Sequence, residues 1–306
     1  MQEASNKKAL IILNPKAGTG TLSRLVSELD NFSEYFDHVT LTGLDDLGGY
    51  VRSVFHKYDV FIAAGGDGTV NSLASILVNS GKILAALPYG SGNGFAREMG
   101  FTRDLKKLVD DISRGDYIET DVLMINDKYC VNVAGTGIDS FVAHSFHDLE
   151  KRGFGNYIIT TFKTVSNIKP VDVEIKGDDI ETGGKFYLVS VANNRQFGNN
   201  AIVAPFSQPD DGFFELVLLR PFPKAMMGLF AMQLMTGTLK ESKYLKYIKT
   251  KGSISIRSGD SRFQIDGEPV SISEPVRIDI CRKALRVLKT SSYISKRKRI
   301  KRNEEK

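Results

Sequence analysis

Three glycine-rich turns, each directly behind a short apolar run, constrain the fold of this chain more than any other feature. The apolar runs at residues 9–13, 39–41, 60–64 and 83–87 read as buried parallel strands, since strands covered on both faces lose polar alternation. Helix-patterned stretches separate them, over roughly residues 21–31, 46–58 and 69–79. This βαβαβαβ order predicts a doubly wound parallel sheet with right-handed crossovers. Ligands of such sheets bind outside the carboxyl ends of the strands. The glycine turns all fall there. Asn14-Pro15-Lys16-Ala17-Gly18-Thr19-Gly20 follows the first strand, Gly65-Gly66-Asp67-Gly68-Thr69 the third and Pro88-Tyr89-Gly90-Ser91-Gly92-Asn93-Gly94 the fourth. Glycine lets the backbone approach a ligand closely, and N–H groups at helix starts favour anions. Three such loops on one rim point to a phosphate-bearing ligand.

From about Tyr117 the rhythm changes to short strands at residues 122–125, 129–134, 171–175, 186–192, 213–219, 253–257, 262–266, 276–281 and 285–289. Helical stretches interrupt them at 140–149, 157–167 and 224–236. That spacing predicts an antiparallel β-sandwich or barrel-like domain. The expected division is an α/β domain at 1–116 and a β-rich domain at 117–289, with a tail at 290–306 free to pack back on the first. A chain of 306 residues is long enough for two such domains.

Composition excludes several classes. Two cysteines, Cys130 and Cys281, are too few for a disulfide framework. Both lie in apolar surroundings and read as buried thiols of a reducing compartment. The polar start, residues 1–8, is no secretory signal, and no apolar run approaches the roughly 20 residues that span a bilayer. A cytoplasmic protein with at most peripheral membrane contact is expected. The tail holds Lys296, Arg297, Lys298, Arg299, Lys301, Arg302 and Lys306 against Glu304 and Glu305. It reads either as a solvated, frayed terminus or as an anchor for an anionic membrane surface. Nucleic acid is disfavoured, because no aromatic stacking platform accompanies the charge.

The chemistry centres on Asp67. A carboxylate repels phosphate, so its role is to act through Mg²⁺ or its water shell on a polyphosphate. Thr69 suits a helix N-cap, and the glycines free the preceding backbone. No Walker A run follows Gly18, and Rossmann spacing is missing, which argues against a dinucleotide oxidoreductase. Late in the chain, Asp266-Gly267-Glu268 closes a strand, so Asp266 is expected to project into a cleft as a base; Asp-Gly is also a common hairpin turn.

Together Asn14-Pro15-x-x-Gly18, Gly65-Gly66-Asp67-Gly68-Thr69 with Asn71, Pro88-x-Gly90-Ser91-Gly92-Asn93 and Asp266-Gly267-Glu268 resemble the diacylglycerol kinase catalytic family. That group includes bacterial diacylglycerol kinase-like, sphingosine kinase and ceramide kinase enzymes, and the resemblance runs over residues 8–290 or so. It implies a phosphofructokinase- or NAD kinase-like first domain, a β-sandwich second domain and ATP in the cleft between them. It further implies that Asn14, Pro15, Gly18, Thr42, Gly65, Gly66, Asp67, Gly68, Thr69 and Asn71 line the nucleotide, with Gly90, Ser91 and Asn93 supplying the third loop. Asp266 would be the general base and Glu268 an acidic neighbour near the nucleotide. Many bacterial members carry an aspartate where this chain has Gly94. The Gly-Ser-Gly-Asn form resembles the sphingosine and ceramide kinase branch, which leaves the lipid open between diacylglycerol-like and sphingoid acceptors. Asp121 is then a candidate to support Mg²⁺ indirectly. Asp139, after Gly135-Thr136-Gly137, is a substrate contact or a helix cap. Asp211, in Gln208-Pro209-Asp210-Asp211-Gly212, is a structural cation ligand or part of an ordinary turn.

His144 and His147 lack further ligands for zinc. Residues 225–235, with Met226, Met227, Met232 and Met235, read as a packed core helix, although soft thioethers also suit acyl chains. The leading expectation is an ATP- and Mg²⁺-dependent lipid kinase. An NAD kinase-like enzyme and a non-catalytic nucleotide- or lipid-binding module are the alternatives. The oligomeric state is open, with a homodimer among the options.

Overall fold

The computed structural model describes residues 8–15, 22–41, 46–147 and 169–304. The expected helix at 157–167, the residues Gly18 and Thr42, and the extreme amino terminus lie outside them. The chain forms two compact units, residues 1–120 with 283–306, and residues 121–282.

The first unit begins with β1 (Ala9–Leu13), α1 (Leu22–Leu29), β2 (Phe36–Thr40), α2 (Leu47–Ser53), β3 (Val60–Gly65), α3 (Asp67–Leu77) and β4 (Ile83–Pro88). Two further helices, α4 (Gly94–Glu98) and α5 (Leu105–Arg114), lead into β5 (Tyr117–Ile125). Strands β2, β1, β3 and β4 lie side by side in parallel. Every residue of β1 and β3 is buried, as their unbroken apolar sequences require. Helix α5, unforeseen from the apolar pattern, has clear ends. Asp104 accepts Lys107 N–H as its N-cap, and Gly115 closes it in the left-handed conformation.

The second unit holds β6 (Lys128–Cys130), β7 (Val133–Gly137), α6 (Ile138–His147), β8 (Val171–Gly177), β9 (Glu181–Phe186), β10 (Leu188–Ala192) and β11 (Phe214–Leu219). Helix α7 (Met227–Thr236) follows, then β12 (Leu245–Thr250), β13 (Ile254–Ser258), β14 (Arg262–Ile265), β15 (Glu268–Ser271) and β16 (Val276–Leu288). One antiparallel sheet runs β12-β11-β10-β7-β14-β15. The facing strands pair β16-β13-β8-β9, with β5 and β6 alongside. Phe186, Val191, Phe214, Leu216, Ile254 and Ile278 fill the space between the two layers. This is the expected sandwich.

Local differences from the sequence pattern have identifiable causes. The run 129–134 is two strands, because the N–H groups of Val131 and Asn132 turn to Asp266 instead of a ladder. The runs 276–281 and 285–289 are one strand, whose apolar pattern breaks where Lys283 takes a positive φ of 51°. Strand β9 escaped notice because Gly183 and Gly184 interrupt it, and β12 because lysines do. The Met-rich segment is a surface helix with no buried residue, not a core helix.

The distal end of β16 returns to the first unit, pairing Arg286 with Ile83 and Val287 with Leu84 of β4 in parallel. Helix α8 (Ser291–Glu304) ends the described chain. Thr290 caps it, accepting Tyr293 N–H (3.0 Å) and donating to Met99 O (2.7 Å). Lys296 pairs with the buried Glu98 at 3.0 Å. Thr290→Val should cost about 1–2 kcal/mol by losing the cap, read as a lower denaturation midpoint with an unchanged m-value.

Candidate functional site

In the first unit the loops behind β3 and β4 are locked together by backbone. Gly65 O accepts both Tyr89 N–H (2.9 Å) and Gly90 N–H (3.1 Å). A Cβ on Gly90 would overlap the Cα of Gly66, so the two loops touch along bare backbone. Asn93, left-handed at φ 51°, ties the third loop shut. Its Oδ1 accepts Gly90 N–H (2.9 Å) and its Nδ2 donates to Gly90 O (2.7 Å). Ser91 at the loop tip is exposed.

Helix α3 starts at Asp67 with Gly66 as N-cap. Thr69 is therefore inside the helix rather than its cap. Its hydroxyl accepts Asn14 Nδ2 (2.8 Å), while Asn14 N donates to Ala64 O (3.1 Å). These bonds fasten the end of β1 to the second loop. Pro15 is exposed, and Gly68 and Asn71 keep partial exposure on α3. Asp67 Oδ1 accepts Phe95 N–H at 3.3 Å. Gly94 opens α4 here, and the next residue presents its amide to Asp67.

The second unit builds a different kind of site. Asp266 is buried, 3% exposed, and left-handed at φ 52°. Its Oδ1 accepts Asn132 N–H (2.8 Å), Val133 N–H (3.2 Å) and the Cys130 thiol (3.1 Å), and its Oδ2 accepts Val131 N–H (2.9 Å). Asp266 is thus seated in a nest of backbone donors, not projecting freely from a strand end. Burial and the neighbouring Asp266 push the Cys130 thiol well up. Cys281 is only half-buried. Glu268, opening β15, is exposed.

Gln264, two residues before Asp266, links this turn to a second carboxyl. It accepts Gly267 N–H (2.8 Å) and donates to Asp139 Oδ2 (3.2 Å). Asp139 Oδ2 also accepts the Ser190 hydroxyl (2.9 Å), and Oδ1 accepts Ser140 N–H (2.8 Å). The carboxyl packs against the Cα of Gly135, which has no room for a Cβ. Although the residue keeps some surface, burial of its carboxyl raises the pKa to about 7. Gln264 and Ser190 were missed in the sequence. The strand alternation that carries Gln264 and Asp266 to one side was the available signal for the first; none pointed to the second.

Asp121 and Asp211 meet one loop. Asp121 Oδ2 accepts Gly212 N–H (2.6 Å), and Asn193 Nδ2 donates to Asp121 O (2.8 Å). Asp211 pairs with the Lys249 ammonium at 2.6 Å, so a side-chain cation already faces its carboxylate. Among the described residues, no three His, Cys, Asp or Glu side chains cluster to hold a metal. Among the described residues of the three glycine-rich turns, Asp67 is the carboxylate; Mg²⁺ is usually held by one or two carboxylates together with substrate phosphates and water.

Residues 8–125 match the diacylglycerol kinase catalytic domain, and residues 132–289 match the YegS C-terminal NAD kinase beta sandwich-like domain. A protein of Bacillus subtilis named diacylglycerol kinase is 27% identical over 272 residues, covering 86% of this chain and 90% of its own. An Enterobacter protein named "Probable lipid kinase YegS-like" is 28% identical, covering 92% and 96%. A solved diacylglycerol kinase structure from Bacillus anthracis superposes with a TM-score of 0.73 at 21% identity, over 94% of this chain and 98% of that one. The last shows a shared fold.

The raised Asp139 pKa has a signed consequence. Between its ordinary value of 3.8 and about 7 the folded state binds more protons than the unfolded one. Stability should therefore fall across that window as pH rises, by a few kcal/mol at most, and level off above it. Asp139→Asn should flatten the fall. Parallel pH profiles of wild type and variant in chemical denaturation would contradict the assignment.

Proposed function

The chain belongs to the diacylglycerol kinase catalytic family of lipid kinases, and on that premise we propose that it transfers the γ-phosphate of ATP, with Mg²⁺, to a lipid hydroxyl. The observation that carries this reading is the bare-backbone contact of Gly66 with Gly90 beside Asp67. It supports a phosphate seat made of N–H groups and the α3 N-terminus, with no side chain in the way. Asn14, Thr69 and Asn93 act here by holding the loops, and Asp67 is the residue that would hold Mg²⁺. When bound, that ion supplies positive charge to the β- and γ-phosphates.

Asp266 is the proposed base. As the lipid oxygen bonds to the γ-phosphorus, the bond to the bridging oxygen of ADP breaks and the hydroxyl proton passes to the carboxylate. The nest of three N–H groups fixes the direction of that carboxylate, which is what positioning catalysis needs. Asp139, with a pKa near neutrality, is the proposed contact for a polar group of the lipid head. The relatives' names put diacylglycerol first among acceptors; the Gly-Ser-Gly-Asn loop adds sphingoid bases to the panel. The basic tail is proposed to attract the enzyme transiently to anionic membrane, peripherally and from the cytoplasmic side.

Incubation with γ-labelled ATP and total lipid extract, followed by mass spectrometry of the labelled product, tests the reading. NAD serves as the competing acceptor, and label in NAD alone would overturn it. Asp266→Asn should lower turnover about 10²–10⁴-fold while ATP still raises the melting temperature; undiminished turnover would remove the base role. Gly90→Ala should abolish that ATP-induced stabilisation, since any side chain separates the two loops.

A further inference from the structure

Between Lys224 and Lys240 the chain carries no Asp, Glu, Lys or Arg. Helix α7 lies in this stretch and has two apolar faces. Met227, Phe230 and Leu234 turn inward onto a cluster that includes Leu188, Val217 and Phe222. Met226, Leu229, Met232 and Met235 turn outward, at 37%, 47%, 57% and 36% exposure. They recur every third residue and form one oblique stripe along the surface. A single exposed apolar side chain is ordinary; a charge-free stripe of four is not.

A basic depression borders the cluster that α7 covers, sharing Leu245 and Tyr244 with it. The depression, of about 460 Å³, is lined by Arg220, Lys243, Lys246 and Glu241 over Leu218 and Tyr244. The Tyr244 ring lies 6.1 Å from that of Phe222, which lies 5.7 Å from Phe230 of α7. Two ring contacts therefore run from the basic depression to the cluster-facing side of the helix. Lys224 marks the other end of the charge-free stretch.

We propose that α7 and this depression form a docking face for an anionic lipid bilayer. The stripe enters the boundary between headgroups and acyl chains, while Arg220, Lys243 and Lys246 meet lipid phosphates. Unbranched thioethers adapt to a fluid phase, and lysine stems lie along apolar surface with their ammonium groups in the headgroup layer. A purely apolar face would bind any hydrophobic partner. Three cations against one anion in the depression select a surface of negative charge. The proposal rests on the lipid kinase reading only for the reason the enzyme visits a membrane, and it is separate from the tail.

The chain has no tryptophan, so Leu229→Trp places a lone indole on the stripe. Vesicles of phosphatidylcholine with phosphatidylglycerol, free of diacylglycerol and sphingoid base, report docking without phosphoryl transfer. The indole emission should shift to the blue on adding these vesicles, and brominated acyl chains should quench it. Leu229→Asp with Met232→Asp should weaken co-flotation of the full chain roughly tenfold or more. Lys243→Glu with Lys246→Glu should remove the preference for phosphatidylglycerol. Activity of each variant on detergent-dispersed lipid, and its melting temperature, report fold and chemistry separately. Wild-type flotation of the aspartate pair would overturn the proposal. So would an indole shift that follows protein concentration without vesicles, which would assign the face to a second copy of the chain.

Discussion

Strands β3 and β4 run in parallel with Gly65 opposite Pro88, and that register forces the next residues of both strands into contact. Gly66 and Gly90 meet there with no space for a Cβ, and the arrangement of the first unit's rim depends on that meeting. Because the loops abut, Gly65 O can accept two N–H groups from the neighbouring loop. Because Gly90 is drawn in, Asn93 must go left-handed to bond it twice, and α4 starts immediately after. That start delivers the Phe95 amide to Asp67. A backbone of this kind presents dipoles rather than charges, which suits an anionic ligand.

The second unit solves a different electrostatic problem. It buries carboxyl groups, a costly act unless each is hydrogen-bonded. Asp266 meets the cost with backbone N–H groups of a turn that leaves its sheet for the purpose. Asp139 meets it with side-chain donors and a shift toward the protonated form. Gln264 touches both arrangements, so a change at either carboxyl is felt through one amide.

The parallel strands were legible because burial on both faces writes continuous apolar runs, and β1 appears at residues 9–13 as expected. The glycine loops were legible as a group because their order is unusual. Their internal wiring was not. Thr69 looks like an N-cap by type, yet the helix starts two residues earlier at Asp67 because Gly66 can take the extended cap conformation. The seat of Asp266 depends on Val131 and Asn132, more than 130 residues away in sequence, and their backbone donors leave no trace in side-chain pattern. Met-rich helix α7 was read as core because apolar composition alone does not say how many faces are covered.

The first unit is assembled from both ends of the chain. Its sheet gains a fifth strand only when Arg286 and Val287 reach β4, and Thr290 then anchors α8 to Met99. During synthesis the ribosome releases β1 to β4 first, the whole β-sandwich next, and the closing strand last. Until then the outer edge of β4 is an unpaired parallel strand edge, open to wrong partners. The nucleotide-type unit thus starts first and finishes last, and a chain truncated after the sandwich would carry every glycine loop on an unfinished sheet.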